Sequence, residues 1–106
     1  MLLLLDENLP KKLKSDFTGH QVFTIRERGW HGLKNGLLLQ KLIDNNFDAL
    51  ITYDKNLQHQ QNFKKYPITV FVLSARVNTY PVLTKLSHQI IDHLNRPLVI
   101  GSIEIK

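Results

Sequence analysis

Cysteine is absent from this chain of 106 residues, so neither a disulfide framework nor a thiolate metal site can form. That absence fits a reducing compartment. Apolar runs are short, and none approaches the roughly 20 residues that a membrane-spanning helix needs. The longest, residues 1–5, is too short for the apolar part of a signal peptide. No basic residue precedes it, and it runs directly into Asp6-Glu7. A cytoplasmic protein is expected. There is no repeat, no linker, no low-complexity segment and no polybasic tail.

What remains is ordinary for one globular domain: 42% hydrophobic and 22% charged residues. The formal net charge of +5 favours anionic partners such as nucleic acid or an acidic protein, although it also serves simple solubility. The cations are scattered (Lys11, Lys12, Lys14, Arg26, Arg28, Lys64, Lys65), so a binding surface has to be assembled by folding.

Residues 2–5 form an entirely apolar run ended by acids, the pattern of a strand buried on both faces. Asn8 as N-cap, Pro10 in the first turn and the Leu9/Leu13 spacing predict a helix over 9–16. A second strand is expected over 21–25, followed by a glycine-rich loop over 26–36. Leu37, Leu38, Lys41, Leu42 and Ile43 give an amphipathic helix that stops at Asn45-Asn46. Residues 49–52 repeat the apolar strand that ends in an acid, here Asp54. A short polar helix within 55–65, a strand over 68–73, a helix over 80–94 and an alternating edge strand over 98–105 complete the chain. Strands alternating with helices imply a single α/β domain spanning 1–106, with three α/β/α layers around a mainly parallel sheet.

In such sheets ligands bind beyond the carboxyl ends of the strands. Two strands end in acids, one at Asp6-Glu7 and one at Asp54, and their order makes them neighbours at the switch point. Carboxylates roughly 5 Å apart repel unless a cation or proton lies between them, and hard oxygen ligands select Mg2+ or Mn2+. Either aspartate alone reads as a turn or capping residue; the pair points to a site. Glu7 serves either as a further acid or as a partner of the following helix N-terminus. Asn8 reads as a cap before a ligand. Lys55 is placed to hold a phosphate or to be solvated, and His59 reads as surface. In the 26–36 loop, Arg26 and Arg28 suit phosphate, while Trp30 either stacks on a base or plugs the core. His20, His88 and His93 have no metal-ligand spacing.

The blocks Asp6-Glu7-Asn8-Leu9-Pro10 after residues 1–5, then Arg26, Gly29-Trp30 and Gly32, then Ala49-Leu50-Ile51-Thr52-Tyr53-Asp54-Lys55-Asn56-Leu57 together resemble a short PIN-like family. Its members are related to PIN-domain ribonucleases and are often paired with an antitoxin. The resemblance covers about the first three quarters of the chain. It implies a PIN-like fold, Mg2+ or Mn2+ as cofactor and RNA as substrate, with a possible antitoxin partner. Asp6 matches the first-strand acid and Asp54 the later one, with Glu7 as a possible third catalytic acid. Relatives place a further acid where this chain has Asn35, so the metal set implied here is Asp6, Asp54 and Asn35, with one carboxylate fewer. Arg26, Arg28 and Lys55 are the implied substrate contacts.

Two other readings compete. A non-catalytic binding module with a depleted site fits the substitution at Asn35. A phosphoacceptor receiver domain fits Asp6-Glu7, Asp54 and Ser74, with Lys106 a poor match for its required lysine. The exposed edge expected at the tail strand makes a homodimer plausible.

Overall fold

The computed structural model describes residues 1–59 and 62–106; the side chain of His59, expected at the surface, lies outside the described residues. Five strands, β1 (Leu2–Leu5), β2 (Gln21–Thr24), β3 (Ala49–Thr52), β4 (Thr69–Leu73) and β5 (Gly101–Ile105), form one sheet in the order β2-β1-β3-β4-β5. Every neighbouring pair is parallel. The helices are α1 (Ile25–Arg28), α2 (Asn35–Asp44), α3 (Asn56–His59), α4 (Tyr80–Leu83) and α5 (Ser87–Leu94), with 3-10 helices over Lys11–Asp16 and Thr84–Leu86. No described helix is long and apolar enough to cross a membrane.

The unbroken apolar strands dictate the layering. Successive side chains of a strand point to opposite faces, so an all-apolar strand needs cover on both. Leu3, Leu5, Ala49, Ile51, Phe71 and Leu73 pack on one face with Leu13, Leu83 and Ile90. Leu4, Leu50, Val70 and Val72 pack on the other with Leu38, Leu39 and Leu42 of α2. The expected α/β/α arrangement is therefore present, and its sheet is wholly parallel. β5 is an edge strand, as expected; the Val99 and Ile100 side chains that precede it are 66% and 58% exposed.

Three local expectations need correction. Residues 11–16 coil as a 3-10 helix, starting from Pro10 without a side-chain cap. Lys11 and Lys12 place positive charge at the helix start, against the helix dipole, and no acid in the first turn offsets it. Asn8 is accordingly not the N-cap.

Residues 25–28 are a helical turn, where the sequence predicts loop. Thr24 and Glu27 form a reciprocal capping box, Thr24 Oγ1 accepting from the Glu27 N–H and Glu27 Oε1 from the Thr24 N–H. Gly29 ends the turn at φ +73°, its N–H and that of Trp30 donating back to Arg26 and Ile25 carbonyls. Gly29→Ala is expected to cost about 1 kcal/mol, the penalty for a Cβ in left-handed backbone, read as a lower urea midpoint at unchanged slope.

The expected helix over 80–94 is interrupted by the 3-10 turn at Thr84–Leu86. With three residues per turn, positions three apart align. Thr84 and Ser87 thereby both donate to Asp16 Oδ2 at 2.7 Å, while Tyr80 Oη donates to Oδ1 at 2.7 Å. Burial pushes the Asp16 carboxyl up, but the hydrogen bonds from Thr84, Tyr80 and Ser87, with Lys12 nearby, bring it below the usual range.

Candidate functional site at the carboxyl edge

β1 and β3 are adjacent, with Leu5 opposite Ile51, and they flank the point where the strand order reverses. The chain leaves β1 into Asp6 and leaves β3 into Tyr53-Asp54, so the two aspartates meet at the switch-point crevice. Their link is Thr52, the last residue of β3 and fully buried. Its hydroxyl donates to Asp6 Oδ2 at 2.6 Å and accepts the Asp54 N–H at 3.0 Å. Asp6 Oδ1 also accepts the Glu7 N–H at 2.8 Å, and Asp54 Oδ1 accepts the Asn56 N–H at 2.9 Å. These contacts fix both carboxylates from the protein side.

Burial is the main reason that the Asp6 carboxyl is raised above its ordinary value. Hydrogen bonds from Thr52 and the Glu7 backbone pull it back, and the charges of Glu7 and Asp54 push it up again.

The donor set is smaller than a full acidic cluster. Among the described residues, no group of three or more carboxylate or imidazole side chains is placed to hold a metal, so Glu7 does not complete a third corner. Asn35, the first residue of α2, turns its Nδ2 toward Asp54 Oδ2 in a long 3.5 Å contact. Offering its carbonyl oxygen to a cation shared with Asp54 requires the amide to rotate. Two carboxylates still suit Mg2+, which commonly takes only one or two from protein and keeps several waters.

The basic residues separate. Arg26 lines a cleft of about 450 Å3 beside Asp6, together with Glu7 and Lys11. Lys55 is exposed directly after Asp54. Arg28 is held elsewhere: its guanidinium lies 4.9 to 5.4 Å from the ring centroids of Phe23, Trp30 and Phe47, and it donates to Asn45 Oδ1 at 3.3 Å. Phe47 and Asn45 precede β3, at the amino end of the strand, so the contacts of Arg28 lie there and not with Asp6 or Asp54. Trp30, edge-on to Phe47 at 5.5 Å, plugs this layer.

The sequence reading missed Thr52 and mistook Asn8. The signal for Thr52 was a hydroxyl ending an otherwise apolar strand, two residues before an aspartate. Asn8 is a strap: its Oδ1 accepts the Tyr53 N–H at 3.4 Å and its carbonyl accepts from Asn78, tying together the turns after β1, β3 and β4.

Fold and site together define a doubly wound parallel α/β domain with a carboxylate pair at its switch point. No family model, curated protein or solved structure matches the chain.

Proposed function

We propose that this protein is a PIN-like ribonuclease that hydrolyses RNA phosphodiester bonds with Mg2+ or Mn2+ held by Asp6 and Asp54. The observation that carries the reading is the meeting of Asp6 and Asp54 at the β1/β3 switch point, where the Thr52 hydroxyl bonds the Asp6 carboxylate and the Asp54 backbone N–H, in a setting that penalises an uncompensated charge on Asp6. A divalent cation there supplies Lewis acidity toward a phosphate oxygen and a more acidic water. Asp6 and Asp54 would hold it, Thr52 holds the Asp6 carboxylate and the Asp54 backbone, and a rotated Asn35 would add a neutral oxygen. Glu7 is free to accept a proton from water, and Arg26 and Lys55 face the substrate phosphates. The same reading assigns the protein to the cytoplasm as the toxin of a toxin–antitoxin pair. Its antitoxin or a second copy of the chain would cover the β5 edge.

The test is incubation of the purified protein with single-stranded and structured RNA in Mn2+, beside Asp6→Asn and Asp54→Asn. Cleavage by the wild type and its loss in both variants is the expected result. Equal cleavage by all three proteins sinks the proposal. Cleavage by none, together with calorimetry that detects no Mn2+ at millimolar concentration, selects a non-catalytic RNA-binding module instead.

One observation favours a second reading. The strand order β2-β1-β3-β4-β5 is the flavodoxin-like order that receiver domains share, and β4 leads into Ser74. Against it, Lys106 lies 3.8 Å from Glu104 with its side chain 73% exposed, where a receiver needs an amine at the acid site. Phosphoryl transfer from acetyl phosphate to Asp54, seen as a mass increase with release of acetate, would revive this reading.

A further inference from the structure

We propose that the cleft beside Asp6 is a subsite for a second phosphate of a single-stranded RNA, gripped between Lys11 and Arg26. This rests on the ribonuclease reading for the identity of the ligand. The cleft, about 450 Å3, falls within the about 300–1,000 Å3 typical of ligand pockets. Leu5 and Leu9 give it apolar surface, and Asp6 stands in its lining. Lys11 and Arg26 reach it from the connections that follow two adjacent strands, β1 and β2.

Charge pairing decides what the cleft can take. Glu27 also lines it, but both Glu27 oxygens accept from Lys14 Nζ at 2.8 Å, and one accepts the Thr24 N–H as well. Glu27 is therefore neutralised by a lysine outside the cleft lining. Lys11 and Arg26 make no side-chain hydrogen bond or salt bridge among the described residues, so their charges stay available. The capping box before Arg26 and the Gly29 reversal after it hold its backbone still, which lowers the entropy lost on binding. Two free cations over apolar surface match a phosphate with its attached ribose and base. The neighbouring carboxylates repel that phosphate unless they are occupied by a cation. The subsite thus holds a phosphate adjoining the one at the Asp6–Asp54 pair, and it sets the path of the strand along the β1–β2 side.

The experiment measures binding of a fluorescently labelled ten-nucleotide oligouridylate by anisotropy, with Ca2+ in place of Mg2+ or Mn2+ to occupy the carboxylates, over a range of salt. In Lys11→Gln/Arg26→Gln, affinity at low salt is expected to fall about tenfold or more. The slope of log affinity against log salt should lose about 0.7, from the one phosphate that the two cations share on a single strand. Arg26→Lys should keep the slope. Lys41→Gln/Lys64→Gln removes the same charge elsewhere and should also keep it, which separates a local grip from net charge. An unchanged slope in the Lys11/Arg26 variant, in a protein that cleaves RNA, overturns the subsite and leaves the ribonuclease reading standing. A reduced slope in a protein that binds but does not cleave supports the subsite while hydrolysis fails. A wild type that neither binds nor cleaves overturns both.

Discussion

Asp6→Asn is expected to do two opposite things: reduce Mn2+-dependent RNA cleavage about a hundredfold or more, and raise Tm at pH 7. The first effect corresponds to about 2.7 kcal/mol of lost transition-state stabilisation. It follows from removing one of the two carboxylates proposed to hold the metal. The second follows from the raised Asp6 carboxyl. A group whose carboxyl is raised by folding contributes its stability fully below the unfolded value, near 3.9, and that contribution is lost as pH rises through the folded value. At neutral pH the folded protein carries a charge that burial penalises, and asparagine does not.

The gap in Tm between variant and wild type should therefore be largest at neutral pH and close as pH falls below about 4. Asparagine keeps an oxygen for the Glu7 N–H or the Thr52 hydroxyl, but not for both, which trims the gain. Adding Mn2+ should raise the wild-type Tm and leave the variant unmoved; at a hundred times Kd the stabilisation is about 2.7 kcal/mol. Thermal melts at several pH values with and without Mn2+ check this. A variant less stable than the wild type at neutral pH, with no Mn2+ response in either protein, would mark Asp6 as a structural anchor for Thr52.

Asp16→Ala is expected to lose about 3 kcal/mol of stability, a conservative figure for three hydrogen bonds to one charged acceptor that is partly exposed. The partners are not equivalent. Ser87 is only 5% exposed, so its hydroxyl is left buried without its acceptor, whereas Tyr80 and Thr84 are partly open to water. Asp16→Asn keeps a neutral acceptor and should lose roughly half as much. Because the Asp16 carboxyl is lowered by folding, its contribution is present above the unfolded value and lost as pH falls through the folded one. The wild-type advantage should accordingly shrink in acid. Urea melts at pH 7 and pH 3 check this, and a deficit that does not change with pH would assign the loss to packing.

Much of the architecture was legible because burial on both faces leaves a mark on every residue of a strand. The apolar runs at residues 2–5, 49–52 and 68–73 read as strands, and the acids that end the first two, Asp6 and Asp54, marked the edge where the candidate site lies. The stop of α2 was legible too: Asn46 takes the left-handed conformation, φ 62°, that asparagine tolerates. The turn at Ile25–Arg28 was written in Thr24 and Glu27, yet the glycines beyond it outweighed that signal in a reading by composition.

The Asp6–Asp54 pair itself was foreseen from two strand ends. Its hinge was not, since Thr52 bonds to a residue 46 positions away in the chain. The same holds for the capture of Arg28 by three rings, the lack of a partner for Lys11 and Arg26 among the described residues, and the three hydroxyls on Asp16. The sequence by itself determined a parallel three-layer domain with acids at its carboxyl edge, because hydrophobic periodicity and strand endings are local properties. Only the tertiary structure decided which strands are neighbours, which cations are already paired and how each carboxylate is held. Those depend on distances between residues far apart in the chain, which no local pattern encodes.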